Sequence, residues 1–141
     1  MVNQEDRNQK ADLLPGQFLF YLGTYSGGSC MVRWNGTSIL IEKTGGGNFN
    51  GISRSCQPGE KQWREFWRML QDIGVWSWEQ SYAVPHGCCG VTYWYLTLSH
   101  GGRTLISSGE DLFPDGKGPG FSLALSALTD AIQVLCSNDT H

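Results

Sequence analysis

The sequence predicts a single α+β domain in which an antiparallel sheet of about five or six strands carries two helices packed on one face. Two kinds of pattern lead to this fold class. Short runs alternate between apolar and polar residues and are joined by glycine turns, the clearest of which is Asn35-Gly36. Two longer segments, 58–73 and 121–136, instead place their apolar residues at helical spacing. Along the chain, the order is three strands, a helix, two or three strands, and a second helix.

The first half of the predicted sheet is a meander of three strands. Runs over 17–25, 30–34 and 38–43 alternate in hydrophobicity. In the first run, one face would carry Phe18, Phe20 and Leu22, and the other Leu19, Tyr21 and Tyr25. Apolar residues on both faces indicate a strand covered on both sides, or one whose second face is an interface. The glycine-rich segment 44–57 is predicted to be a connecting loop.

The first helix is predicted over 58–73. Pro58 suits the first helical position, Glu60 faces the positive end of the helix dipole, and Gly74 supplies a left-handed cap. One stripe collects the large apolar residues, which are Trp63, Phe66, Trp67, Leu70 and Ile73. This stripe is predicted to pack two tryptophans on the sheet.

The second half of the sheet is predicted to contain a long hairpin. A short alternating segment, 75–82, is predicted to run as a strand or extended segment into a loop, 83–90. Strands over 91–99 and 104–107 then flank a Gly-Gly turn. In the first of these strands, one face would carry Trp94, Leu96 and Leu98, and the other Val91, Tyr93, Tyr95 and Thr97.

The last helix, 121–136, contains a single charged residue, Asp130. A helix with so few charges is either deeply buried or partly covered by another chain. Homodimerisation, through this helix or through an open sheet face, is therefore a hypothesis.

Composition argues against several classes of function. The 141 residues carry 10 Lys and Arg against 13 Asp and Glu, for a net charge of −3, and lack the basic cluster of a nucleic-acid-binding protein. No apolar run approaches the ~20 residues of a membrane helix, so no membrane partner is predicted. Residues 1–13 and 137–141 are predicted to be polar tails on a domain that spans 14–136.

The cysteines point to a reducing environment. There are five, an odd number, and the N-terminal residues lack the apolar core of a signal peptide. An oxidised secreted scaffold usually has an even set, so the pattern favours free, mostly buried thiols and a cytoplasmic location.

One loop gathers His86, Cys88 and Cys89. Together with His100, these residue types suit a thiophilic metal, or a cysteine nucleophile beside a histidine base. The usual Cys-x-x-Cys pair of a structural metal site is missing, and buried free thiols account for the same residues. No cofactor and no catalytic residue are therefore predicted, and a thiol or metal site on this loop is the alternative function.

Four tyrosines are predicted to share the sheet face away from the helices, namely Tyr21, Tyr25, Tyr93 and Tyr95. Exposed tyrosines with few charges nearby are typical of surfaces that bind proteins. Cross-strand aromatic pairing that stabilises the sheet explains them equally well. The sequence thus favours a non-enzymatic protein-interaction domain of the inhibitor, immunity or adaptor kind.

The layout of elements resembles that of the emfourin-type family, small bacterial proteins that inhibit metalloproteases. The similar positions are Gly27-Gly28, the Asn35-Gly36 turn, Tyr93-Trp94-Tyr95, Pro114 and the segment 125–135. The resemblance implies a bacterial α+β protein that acts by binding another protein, and it implies no catalytic residue.

Overall fold

A computed structural model describes the chain in six stretches, which are 13–24, 28–45, 51–83, 92–110, 112–114 and 123–137. These residues form one sheet and two α-helices. In chain order, the elements are β1 (Gln17–Thr24), β2 (Ser29–Trp34), β3 (Ile39–Thr44), β4 (Ile52–Cys56), α1 (Glu60–Ile73), a 3-10 helix (Val75–Ser77), β5 (Ser81–Ala83), β6 (Thr92–His100), β7 (Arg103–Glu110) and α2 (Leu123–Leu135). The predicted α+β class, with strands, helix, strands and helix in that order, is confirmed.

The sheet has β1 at its centre. Its seven described strands lie in the order β4-β3-β2-β1-β6-β7-β5. All neighbours are antiparallel except β5 and β7, which are parallel. β1 pairs along its full length with β6, from Gln17 opposite Ser99 to Thr24 opposite Thr92. The central pair therefore fixes which residues of both strands face the helices.

The sheet has seven described strands instead of the five or six predicted, because one strand was not predicted. That strand is β4, which lies within the segment 44–57, for which we predicted a loop, and extends the meander to four strands. The segment 75–82, predicted as a strand or extended segment, begins with the 3-10 helix, and its end joins the sheet as the parallel strand β5. β4 is short and lies at a sheet edge, so its neighbour β3 defines it more than its own hydrophobic pattern does.

The first helix has well-defined ends. Gly59 is its N-cap, and the Gly59 N–H donates to the side-chain oxygen of Gln62 at 2.6 Å. Gly74 ends the helix with φ 78°, and its N–H donates to the carbonyls of Leu70 and Gln71. The left-handed cap is thus confirmed. The helix starts at Glu60, whereas the predicted start at Pro58 was two residues early.

Both helices pack on the same face of the sheet. From α1, Phe66 contacts Phe18 of β1 with ring centroids 5.4 Å apart, and Trp63 meets Trp34 of β2 edge to face at 5.4 Å. The buried residues of α2 are Leu125, Leu128, Ala131, Ile132 and Leu135. These side chains join the core-facing strand residues in one continuous apolar core.

Leu13, the last residue of the predicted N-terminal tail, packs against this core. Its carbonyl accepts a hydrogen bond from the indole N–H of Trp67 at 2.7 Å. Residues 1–12 and 138–141 lie outside the described stretches. No described helix is both long and apolar enough to cross a bilayer.

A disulfide joins Cys56, at the end of β4, to Cys136, directly after α2. The two residues are 80 positions apart in the chain, and their Cα atoms are 5.6 Å apart. Our prediction of free thiols was therefore wrong for this pair. The contact arises because β4 is an edge strand that lies under the end of α2, a placement that the predicted loop did not contain. Cys30 is a free, half-buried thiol, and Cys88 and Cys89 lie outside the described residues.

Replacing both Cys56 and Cys136 by serine is expected to lower the free energy of unfolding by roughly 2–4 kcal/mol, because the cross-link restricts the unfolded chain. Urea denaturation followed by tryptophan fluorescence measures the change. Cys30→Ala, which removes a thiol outside the disulfide, is the control and should cause a smaller shift. Coincident unfolding curves for the double variant and the natural protein would contradict the pairing.

Candidate functional site

The face of the sheet opposite the helices, here called the open face, is the candidate site. Side chains alternate along each strand, so the neighbours of the core-facing residues point to this side. No described helix packs on it. Its central residues come from β3, β2, β1, β6 and β7, and they are Leu40, Met31, Arg33, Leu19, Tyr21, Tyr93, Tyr95, Thr97 and Ile106.

Three tyrosines form a cluster at the centre of the open face. Tyr21 lies directly opposite Tyr95 in the β1–β6 pair, while Tyr93 lies opposite Gly23. The ring of Tyr21 stacks on both neighbours, with centroids 5.3 Å apart in each case. The hydroxyls of Tyr21 and Tyr93 form a hydrogen bond at 3.3 Å. Tyr21, Tyr93 and Tyr95 therefore hold one another in place.

Gly23 makes the close packing of this tyrosine cluster possible. A Cβ atom at position 23 would lie 2.6 Å from the hydroxyl oxygen of Tyr21 and 2.7 Å from its Cε1 atom. The ring of Tyr21 therefore lies across the backbone of Gly23 and reaches Tyr93 on the next strand. An aromatic ring over a strand glycine restores packing that the missing side chain would otherwise provide. Sequence reasoning missed this role, although Gly23 follows Tyr21 by two residues and so shares its face.

The hydrogen bond with Tyr21 raises the pKa of Tyr93 above its ordinary value. The bond favours the neutral hydroxyl, and the nearby phenol groups and slight burial act in the same direction. Tyr93 is 46% exposed, so its ring edge and its hydroxyl are open to solvent.

A row of mixed apolar and polar side chains lies beside the tyrosine cluster. This row crosses five strands, in the register Leu40, Arg33, Leu19, Thr97 and Ile106. Adjacent strands are about 4.8 Å apart, so this row is roughly 19 Å wide. Ile106 is 58% exposed and adds apolar surface at the β7 end of the row. The alternation of residues in β2, β3 and β7 predicts that Arg33, Leu40 and Ile106 lie on the open face, but we considered only the tyrosines there.

Charged residues stand within and around the patch. Arg33 lies in the row of Leu19, Glu42 of β3 lies in the row of Tyr21, and Glu110 of β7 lies in the row of Tyr93. All three charged side chains are exposed. The open face therefore combines an apolar, aromatic centre with separated charges, which suits recognition by contact.

The structure unites three of the four predicted binding residues. Tyr21, Tyr93 and Tyr95 are in mutual contact or share a common neighbour. Tyr25 lies outside the described residues. The faces predicted for Trp94, Leu96 and Leu98 are confirmed, since all three are buried on the helix side of β6.

The alternative site loop, with His86, Cys88 and Cys89, lies outside the described residues. His100 is at the opposite end of β6 from Thr92, where the chain re-enters the sheet after that loop, and the strand is roughly 26 Å long between them. The imidazole stacks on Trp67 of α1, with ring centroids 3.7 Å apart. Its packing on the helix explains His100 without a metal. The described residues contain no group of three His, Cys, Asp or Glu placed to hold an ion.

The chain matches no protein-family model and no curated protein by sequence. The class of protein is therefore described by its fold and its surface. It is an α+β domain with two helices on one face of the sheet and a tyrosine cluster on the other. The resemblance to emfourin-type proteins stays a prediction.

Replacing Tyr21 by phenylalanine is expected to lower the pKa of Tyr93 toward the ordinary tyrosine value, because the hydroxyl partner is removed. Titration of the Tyr93 ring carbons by NMR measures the shift. In the natural protein, the folded chain holds this proton more tightly than the unfolded chain. Its contribution to stability is therefore complete below the ordinary tyrosine pKa and is lost as the pH rises through the raised one.

Two further variants test whether the hydrogen bond from Tyr21 is what raises the pKa of Tyr93. Gly23→Ala should displace the Tyr21 ring and lower the pKa of Tyr93 in the same way. Tyr82→Phe, which removes a hydroxyl on the core side of the sheet next to Trp94, should leave it unchanged. A Tyr93 pKa that is the same in all four proteins would show that the hydrogen bond does not control it.

Proposed function

We propose that this protein is a small non-enzymatic interaction domain, of the inhibitor, immunity or adaptor kind, that binds another protein through the open face. The observation that carries the proposal is the tyrosine cluster, which is stacked and hydrogen-bonded on a sheet face that no described helix covers. The resemblance to emfourin-type inhibitors supports the inhibitor form of this function.

The energetics of such a surface favour association. Tyrosine provides a large contact area with few rotatable bonds, so fixing it in an interface costs little conformational entropy. Here the cluster is already ordered by its own contacts, which lowers that cost further. A partner that covers Tyr93 and Ile106 would remove from water the two most exposed large apolar side chains of the open face.

The charges of the open face would select the partner. Arg33 and Glu42 lie toward β3, whereas Glu110 lies on β7 beyond the tyrosines. Charges around an apolar centre contribute to orientation and to the rate of association more than to affinity. We therefore expect a partner with a compact apolar centre and complementary charges on both sides.

The disulfide bears on the compartment in which this binding occurs. The cytoplasmic location predicted from the odd cysteine count assumed free thiols at Cys56 and Cys136. Structural disulfides persist mainly in oxidising compartments. With this pair joined, we favour a compartment outside the reducing cytoplasm.

Site-specific photo-crosslinking in the native cells tests the proposed function. A photoreactive phenylalanine at Ile106 should yield a discrete covalent adduct with a partner, because this position lies within the proposed interface. The same residue at Lys61, exposed on α1, should not. Tyr93→Ala with Tyr95→Ala should reduce the Ile106 adduct roughly 30-fold, since loss of a central aromatic contact typically costs about 2 kcal/mol or more.

The mass of the adduct identifies the kind of partner. An adduct of twice the protein mass would assign the open face to a homodimer, whereas a different mass identifies a second protein. Crosslinks of equal yield from Ile106 and Lys61, or none from Ile106, would refute the interface. Arg64→Ala, on the exposed side of α1, is the matched control and should leave the Ile106 adduct unchanged.

A further inference from the structure

A cleft of about 790 Å³ opens on the other side of the sheet, between strands β1–β4 and the C-terminal part of α2. This volume lies within the range of small-molecule sites in proteins, which is roughly 300–1,000 Å³. The cleft shares no residue with the open face, because its strand residues point toward the helices. It is called the α2 cleft below.

The interior of the α2 cleft is apolar. Phe20, Val32 and Ile41 form the floor on the sheet side, and the half-buried Leu22 and Cys30 present apolar surface to the cleft. On the helix side, Ile132 is the central apolar residue, and Gln133 lies at the exposed margin. An alkyl or aromatic group placed here would exchange water for these side chains.

Two cationic side chains line the same cleft. Arg54 pairs with Ile41 across the β3–β4 ladder, and Lys43 lies two residues further along β3, so both point to the helix side of the sheet. Such diagonal neighbours on adjacent strands are roughly 7–8 Å apart. Both side chains are exposed. They therefore stand side by side where the apolar interior meets solvent.

A hydrogen bond holds Arg54 at the cleft, and Lys43 lies opposite Cys30 in the β2–β3 ladder. The Nη2 atom of Arg54 donates a hydrogen bond to the carbonyl of Cys136 at 3.2 Å, which leaves its other N–H groups for a ligand. Lys43 lies near Cys30, a further residue of the cleft. Burial raises the pKa of the Cys30 thiol, and the Lys43 ammonium acts in the opposite direction.

Neither cation has an anionic partner within the described part of the chain. The described residues that line the cleft include no Asp or Glu. The ion pairs found among the described residues all lie on α1. Two adjacent cations that have no anionic partner among the described residues, beside an apolar interior, are complementary to a molecule with an anionic head and an apolar tail.

We propose that the α2 cleft binds an aliphatic monocarboxylate, such as a medium-chain fatty acid. The carboxylate lies between Lys43 and Arg54, and the alkyl chain lies against Leu22, Cys30 and Ile132. The disulfide between β4 and the end of α2 fixes the two walls relative to each other, so the site is formed before the ligand arrives. This proposal is independent of the function assigned to the open face.

Isothermal titration calorimetry of the full chain with sodium decanoate, below its micelle concentration, tests the site. One molecule should bind per chain. Octanoate should bind about 15-fold more weakly, because each methylene removed from an apolar contact costs about fourfold in affinity. Decanol, which has the same tail but no charge, should bind at least tenfold more weakly than decanoate.

Variants assign the binding to the cleft. Lys43→Gln with Arg54→Gln should weaken decanoate binding at least tenfold, whereas the matched control Lys61→Gln with Arg64→Gln on α1 should not. Gln133→Trp should block the apolar interior without removing a charge. Circular dichroism and urea unfolding verify that each variant is folded.

Three results would overturn the proposal. They are the absence of decanoate binding to the natural protein, equal affinities for decanoate and decanol, and equal decanoate binding by the natural protein and the Lys43/Arg54 variant. Binding of several decanoate molecules per chain that survives Gln133→Trp would likewise show a general detergent effect in place of a site.

Discussion

The antiparallel pairing of β1 with β6 is the constraint on which the rest of this structure depends. Its register places Phe18 and Phe20 beside Leu98 and Leu96 on the helix side. The same register brings Tyr21 opposite Tyr95 on the other side. A slip of one residue in either strand would exchange the faces of all its side chains. The core and the tyrosine cluster are therefore two consequences of one set of backbone hydrogen bonds.

Glycines at two strand positions let aromatic rings approach the backbone. Gly23 lies under the ring of Tyr21 on the open face. On the helix side, a Cβ atom at Gly109 would lie 2.5 Å from the indole nitrogen of Trp94, which donates a hydrogen bond to the carbonyl of Leu112 at 3.0 Å. In both cases, the missing side chain is replaced by an aromatic ring from the same or the adjacent strand. The glycines thus have specific packing roles in the sheet.

The sheet also separates two surfaces of different chemistry. On the open face, neutral tyrosines and aliphatic residues are suited to contact with another macromolecule. On the helix side, the α2 cleft combines an apolar interior with Lys43 and Arg54. The disulfide between Cys56 and Cys136 lies beside the cleft, on the side of the sheet opposite the tyrosines. A ligand in the cleft and a protein on the open face would therefore occupy different sides of the sheet.

Local patterns in the sequence determined most of the elements and their faces. The 3.6-residue stripe of α1 and the alternation of β1 and β6 were sufficient because helices and long strands each bury a face at a fixed period. They also placed Tyr21, Tyr93 and Tyr95 on one side. The same reasoning could not place His100, whose contact with Trp67 depends on how α1 crosses the sheet.

Tertiary structure alone decided the features that join distant segments. The edge strand β4 and the parallel pairing of β5 with β7 depend on neighbouring strands that supply the hydrogen-bond partners. The Cys56–Cys136 disulfide and the cation pair at the α2 cleft follow from where β4 lies relative to α2. The sequence by itself determined which residues face inward, since periodicity is a local property. Only the pairing of segments far apart in the chain decided which of these inward-facing residues contact one another.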